Sequence, residues 1–324
     1  MERLADHDPV GIAGLGIIGS RVASRLRAAG RPLWLWSRTV RPEPNFLASP
    51  AELAEASRVI QIFVSDGPAL RGVLEAMAPA LTPAHIVLNH ATVSPAEARE
   101  AAAIARERHA GFLDVPFTGS RDAAAAGQLV YYAGGPSHLL EAVRPVLSAS
   151  AREILPMGDV GEASAVKIAT NMISAAAVSS LAEALALLHR QGVPLHFLHA
   201  ALEKNAAHSG VIDLKLPLML ADEFEPRFSL KNMFKDSRLA LALAAETGLD
   251  LPTASAFAGS ALAALQRGLG DADFSVIARC HGFTDARNTL PAQPSAAPVE
   301  PPPSPPAPPL PRPGFFRNLF KRPA

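Results

Sequence analysis

The sequence predicts an α/β domain with a parallel sheet, followed by a domain built from helices alone. Two observations carry this. Up to about Leu155, short apolar runs alternate with helical-looking segments, the pattern of a parallel sheet covered on both faces. From about Gly158 to Asp285 no segment reads as a strand, and the Ala- and Leu-rich run "ASAVKIATNMISAAAVSSLAEALALLHRQG" carries no Pro or Gly before Gly192. At 324 residues the chain exceeds the usual span of one domain, so two domains are the natural expectation.

The elements follow in order. "PVGIAGLG" reads as a strand and "IIGSRVASRLRAAG" as the helix after it. "PLWLWSR", "RVIQIFVSD" and "HIVLNHATVS" are further strands, with "GFLDVPFTGS" and "QLVYYAGG" behind them. "SLKNMFKDSRLALALAAETG" is a second strong helix, with Gly248 as its stop. The expected division is 1–157, 158–289 and 290–324. The last segment holds 13 of the 30 prolines, too dense for any packed element, and is expected to be an extended, disordered linker. Its end, residues 314–324, combines Phe315, Phe316, Leu319 and Phe320 with Arg317, Lys321 and Arg322. That pattern suits weak docking to a protein or an anionic membrane surface, or an unstructured end.

The totals exclude several classes. The formal net charge is zero and the pI about 7.2, so there is no global field for nucleic acid or an anionic membrane. The single cysteine, Cys280, forbids an internal disulfide and a four-cysteine zinc site, and no metal is expected. The first ten residues carry no apolar stretch of signal-peptide length, and no uninterrupted apolar run reaches membrane-spanning length. The chain reads as a soluble cytoplasmic protein.

The first strand leads into Gly14-Leu15-Gly16-Ile17-Ile18-Gly19. Alone, G-x-G-x-x-G is a weak pattern. Between a strand and a helix at the start of an alternating run it is a dinucleotide fingerprint, so the first domain is a Rossmann domain. About twenty residues on, where an acidic residue would bind a ribose 2′-hydroxyl, the chain has Ser37, Arg38 and Thr39. A guanidinium and two hydroxyls suit a 2′-phosphate, so NADP(H) is expected in preference to NAD(H).

"GEASAVKIATNM" plants a lysine, Lys167, among small uncharged residues. Taken alone, the residue reads most simply as a solvent-facing lysine, or as one whose stem lies on apolar surface while its head reaches water. The rest of the chain changes that. The glycine loop, "ATVSP", "VPFTGS", "GEASAVKIATN" and "FSLKNMFKDSRLALAL", read in order, resemble the β-hydroxyacid dehydrogenase family over roughly residues 9–285. "TGSRDAAAAGQL" and "LGDADFSVI" lean toward its glyoxylate/succinic semialdehyde reductase branch.

The resemblance implies a long helix joining the two domains, with the active site in the cleft between them. It implies Lys167 as the catalytic residue and Asn171 as its companion in orienting substrate. The two are i and i+4, on one helix face. An ammonium there stabilises the negative charge developing on a carbonyl oxygen and delivers the proton. By the same resemblance Thr118 and Gly119 form the substrate-carboxylate loop and Phe228 lines the pocket. Thr92 and Lys235 approach the cofactor, and Asp236 helps hold the site. The implied substrate is a small carboxylated aldehyde or keto acid, and the implied assembly a homodimer or homotetramer.

Several positions depart from the family pattern. Phe117 stands in place of a small branched residue and Thr118 in place of serine. Asn89, His90 and Ala91 replace an acidic–apolar–serine run, and Ala163 replaces a glycine. A ring at Phe117 is expected to shrink or turn the pocket, and His90 to be structural. Three other readings remain: an imine reductase, which usually lacks the lysine; an NAD-dependent 3-hydroxyisobutyrate-type dehydrogenase; and a catalytically weak NADP-binding scaffold docked through the tail.

Overall fold

The structure is a computed structural model that describes residues 8–282. The proline-rich segment and its 314–324 end lie outside the described residues.

Five parallel strands form the main sheet: β1 Val10–Ala13, β2 Leu33–Trp36, β3 Val59–Ile62, β4 Ile86–Asn89 and β5 Gly111–Asp114, in spatial order β2-β1-β3-β4-β5. Helices α1 Gly19–Ala28, α2 Pro50–Ala56, α3 Gly67–Met77 and α4 Pro95–Glu107 connect them. The local signals are plain. Ser49, Asp66 and Ser94 each accept a backbone N–H of the following first turn, and Ser94 with Glu97 closes a full capping box. Two buried apolar clusters cover the faces of the sheet, one including Ile12, Leu26 and Leu88, the other Ile60, Leu74 and Val87. The strand order reverses direction between β1 and β3. Ligands of such sheets bind there, outside the carboxyl ends of the strands.

The sheet does not take in every strand of the first domain. β6 Phe117–Thr118, β7 Leu129–Ala133 and β8 Ala151–Pro156 form a separate three-stranded sheet, with β6 antiparallel to β7. The expectation of one parallel sheet fails here for a simple reason. Only Val115 and Pro116 separate β5 from β6, and a parallel crossover needs about a dozen residues or more. Short α5 Arg121–Ala125 joins β6 to β7, and α6 Ser137–Leu147 joins β7 to β8.

From Glu162 onward the described chain has helices and no named strand: α7 Glu162–Arg190, α8 His196–Leu202, α9 Gly210–Ala221, α10 Leu230–Thr247, α11 Pro252–Gln266 and a 3-10 helix Phe274–His281. α7 is the axis, packed against α9, α10, α11 and the 3-10 helix, while its first turns reach α4 and β7. α10 stops where a left-handed residue is needed, at Gly248 with φ +68°. The fold is thus an α/β Rossmann domain followed by an all-α domain, with one long helix serving both.

Candidate active site

The glycine loop is shaped by close backbone approach. A Cβ on Gly14 would lie 2.0 Å from the Phe63 carbonyl oxygen, and one on Gly19 2.0 Å from that of Gly14. Gly16 differs: a Cβ there meets nothing within 4 Å. Its bare backbone faces open space at the start of α1. That helix has no side-chain cap and no acidic residue in its first turn, whereas α2 to α5 all cap themselves. Exposed amides and an uncapped helix end fit a pyrophosphate, so these residues suit a dinucleotide. Leu15 buries its side chain in the core and offers only backbone, while Ile17 is exposed and Ile18 half-buried.

Gly14 N–H donates to the Trp36 carbonyl at 2.8 Å, which sets the end of β2 beside the loop. Arg38 and Thr39 are exposed there. Ser37 is buried, and its hydroxyl donates to the Thr39 carbonyl at 2.6 Å. Its proton is therefore spent within the turn, and Arg38 is the charged side chain left exposed at the end of β2.

Five of the expected site residues form one connected chain. Lys167 Nζ donates to Asn171 Oδ1 at 2.8 Å, and Asn171 Nδ2 donates to Asp236 Oδ2 at 2.6 Å. Asp236 Oδ1 lies 2.8 Å from Lys235 Nζ, which donates to the Thr92 carbonyl at 2.5 Å. Lys235 thereby ties α10 to the loop after β4. The Asn171 oxygen and one amide proton are taken up by Lys167 and Asp236, so Asn171 holds the ammonium and has a single N–H left to offer a substrate.

Lys167 is 9% exposed, its stem buried along α7. Two of its three N–H donors have no partner among the described residues. Burial lowers its pKa to about 8, with Asp236 pulling upward and Lys235 downward. At neutral pH such a group is charged yet ready to release its proton, the property a general acid needs.

Thr118 and Gly119 sit at the end of β6, half-buried and exposed respectively. Gly119 has φ +135°, and a Cβ would press 2.8 Å from Leu129 Cδ2, so this position favours glycine. Phe228 is half-buried just before α10. No described hydrogen bond links these three to the Lys167 chain. Their two segments do meet, through the ion pair of Arg121 with Glu225.

The Phe117 ring joins a cluster with Phe63 and Tyr131, at centroid distances of 6.1 and 6.3 Å. Alternation along β6 sends Phe117 and Thr118 to opposite faces. His90 completes this cluster, stacked on Phe63 at 4.4 Å. Its ring nitrogens lie 2.7 Å from the Val115 carbonyl and 3.0 Å from Gln61 Oε1. Burial lowers its pKa to about 3, so it is a neutral structural residue. Ala163 is accommodated fully buried.

Sequence reasoning missed Asp114. This buried carboxylate at the end of β5 accepts from Gly161 N at 3.2 Å, Ser164 N at 3.0 Å, Ser164 Oγ at 3.0 Å and Asn89 Nδ2 at 3.2 Å. Burial pushes its carboxyl above the usual range while the four donors hold it back. It seats the N-terminus of α7 one turn before Lys167, where a helix end favours an anion. The only signal was an acidic residue closing an apolar run in "GFLD".

Two family models cover most of the described chain. A family model for the NAD binding domain of 6-phosphogluconate dehydrogenase matches residues 9–158, and one for the NAD-binding region of NADP-dependent 3-hydroxyisobutyrate dehydrogenase matches residues 161–281. The chain belongs to the β-hydroxyacid dehydrogenase family. As a member it is an NAD(P)-dependent oxidoreductase of the hydroxyacid dehydrogenase type. Glyoxylate/succinic semialdehyde reductase 1 of Arabidopsis thaliana is 29% identical over 85% of this chain and 99% of its own length. The chloroplastic reductase 2 of the same plant is 28% identical over 83% of this chain and 78% of its own. A solved 3-hydroxyisobutyrate dehydrogenase of Mycobacterium tuberculosis, described with L-serine, superimposes with a TM-score of 0.77 at 26% identity, covering 85% of this chain and 99% of that one.

Proposed function

We propose that this dehydrogenase-family chain is an NADPH-dependent reductase of a small carboxylated aldehyde or keto acid, of the glyoxylate or succinic semialdehyde type, forming the hydroxy acid. The observation that carries the reading is the buried Lys167 ammonium, held 2.8 Å from Asn171 with two donors to spare. A dinucleotide held by its pyrophosphate at the glycine loop would supply the hydride from its reduced nicotinamide ring. Lys167 donates to the carbonyl oxygen as it gains charge, then transfers its proton to it. Asn171 and Asp236 keep the ammonium aimed, and the Thr118 hydroxyl with the Gly119 amide receives the substrate carboxylate. The names of the Arabidopsis relatives support this substrate class. An imine reductase has less need of this lysine, and a binding scaffold has none.

The test is NADPH oxidation by purified protein against glyoxylate, succinic semialdehyde, tartronate semialdehyde and methylmalonate semialdehyde, with a cyclic imine as control. Turnover of at least one carbonyl acid and none of the imine is expected. Tight NADPH binding with no turnover of any carbonyl acid overturns the reading in favour of a scaffold.

The NADPH preference rests on exposed Arg38. Arg38→Ala is expected to lower kcat/KM for NADPH by about tenfold to a hundredfold, the worth of one charge-assisted contact, and to leave NADH use unchanged. Equal losses with both cofactors contradict the assignment.

Self-association has a surface on this reading. Ile173, Ala177, Ser180, Ala184 and Leu187 share one stripe of α7, and Ile173 and Leu187 are 66% and 62% exposed. A second copy of the chain is the occupant proposed for it, the pairing the resemblance implies. Sedimentation velocity is expected to show a dimer or tetramer for the parent and a monomer for the Ile173→Glu/Leu187→Glu double variant. A monomeric parent, or an unchanged variant, contradicts this.

A further inference from the structure

The helical domain contains a buried ion pair that the reduction itself does not use. Lys215 Nζ lies 2.8 Å from both carboxylate oxygens of Asp273 and 4.5 Å above the centre of the Phe274 ring. Asp273 is fully buried and accepts four more hydrogen bonds. The backbone amides of Arg227 and Phe228 reach Oδ2 at 3.1 Å, and the Ser275 amide and hydroxyl reach Oδ1 at 3.1 and 2.8 Å. An asparagine there has one acceptor oxygen and brings donors of its own. Only an ionised carboxylate satisfies this set, and only with a cation beside it is the buried charge tolerable.

Two of these donors belong to the segment that carries Phe228. Further bonds hold the same segment: Asp273 N to Phe224 O at 2.9 Å, Phe274 N to Phe228 O at 3.0 Å and Leu230 N to Ala272 O at 2.9 Å. The Phe228 ring meets Phe274 edge to face, centroids 6.1 Å apart. On its other side the segment reaches the substrate loop, where Glu225 pairs with Arg121, three residues beyond Thr118. The segment between, which the family resemblance places along the pocket, is therefore gripped by one buried carboxylate.

We propose that the Lys215–Asp273 pair is a positioning device for Phe228 and so sets the length of substrate that the cleft accepts. The pair touches neither substrate nor cofactor; it acts through the amides of residues 227 and 228. This rests on the reductase reading above. When the charge on either partner is removed, the two amides are released and the ring leaves its seat on Phe274. The cleft then widens, and the longer carboxylated aldehyde gains over the shorter one.

The experiment compares kcat/KM for succinic semialdehyde and glyoxylate, with NADPH, in the full chain and in Phe228→Ala, Lys215→Met, Asp273→Asn and Ser275→Ala. Lys215→Met and Asp273→Asn are expected to move the ratio of the two constants toward succinic semialdehyde by about fivefold or more, in the direction Phe228→Ala moves it. Ser275→Ala removes a single donor and moves it the same way by less. Phe228→Ala combined with Lys215→Met gives no shift beyond Phe228→Ala alone, because both act through one side chain. A purely structural pair lowers the folded fraction and reduces both constants by one factor, with the ratio unmoved; that result overturns the proposal. If the charge variants do not fold, the Ser275→Ala ratio decides in the same sense. A parent that reduces neither aldehyde overturns the reductase reading, and the inference falls with it. A parent active on both, with variants of unchanged ratio, overturns the inference alone.

Discussion

Lys167→Ala is expected to abolish carbonyl reduction to within about a thousandth of the parental rate, while NADPH still binds with an affinity near the parent's. The size follows from what is lost. On the proposed mechanism the ammonium both stabilises the developing oxyanion and supplies the proton, and among the described residues the neighbouring ammonium, Lys235, is already engaged by Asp236 and the Thr92 carbonyl. Stability moves less. Truncation relieves a buried charge, and this offsets part of the cost of the emptied stem volume and of the Asn171 oxygen left without its donor. A cooperative thermal melt, together with lost turnover, separates a catalytic effect from an unfolded protein. A variant as active as the parent removes Lys167 from the mechanism.

Asp114→Ala carries the largest expected loss of stability. It strands two backbone amides, a hydroxyl and a carboxamide that now point at one carboxylate. Each buried unsatisfied donor costs about 1–3 kcal/mol, and the shared cavity makes the losses less than additive, so about 3–5 kcal/mol is expected overall. Asp114→Asn keeps one acceptor and falls between. Chemical denaturation midpoints check the ranking. Activity falls as well, because Ser164 sits one turn before Lys167 and the loosened helix start no longer fixes the ammonium. An Asp114→Ala protein with parental midpoint and kcat contradicts the role.

Much of this was legible in the chain. The glycine loop announced itself because its spacing sits between a strand and a helix, and φ +104° at Gly14 shows why the residue is glycine. The long α7 was readable because an Ala- and Leu-rich run without breakers has few other options. β8 was not readable: "AREILP" places Arg152 and Glu153 on exposed positions of an edge strand and shows no alternation. Asp114 was missed because its partners lie 25 residues upstream and about fifty downstream, and one acidic residue at a strand end looks like any other. The direction of the Phe117 ring depended on Phe63 and Tyr131, brought close only by tertiary structure. Lys215 and Asp273, 58 positions apart, were unpaired in the sequence for the same reason.

On the reductase reading the Lys167 ammonium, tuned by its neighbours, is the proton donor, and the pH dependence of kcat/KM for aldehyde reduction reports its titration. With its pKa brought to about 8, Lys167 is protonated below that pH and loses its proton above it, so the constant is level on the acid side and falls on the alkaline side from about 8. Asp236 pulls that pKa upward. Asp236→Asn therefore moves the alkaline limb to lower pH, whatever it does to the maximal rate. An alkaline limb near 8 that shifts down in the variant is the predicted result. A profile that stays level to the ordinary lysine range, or a limb that Asp236→Asn leaves in place, would contradict the account.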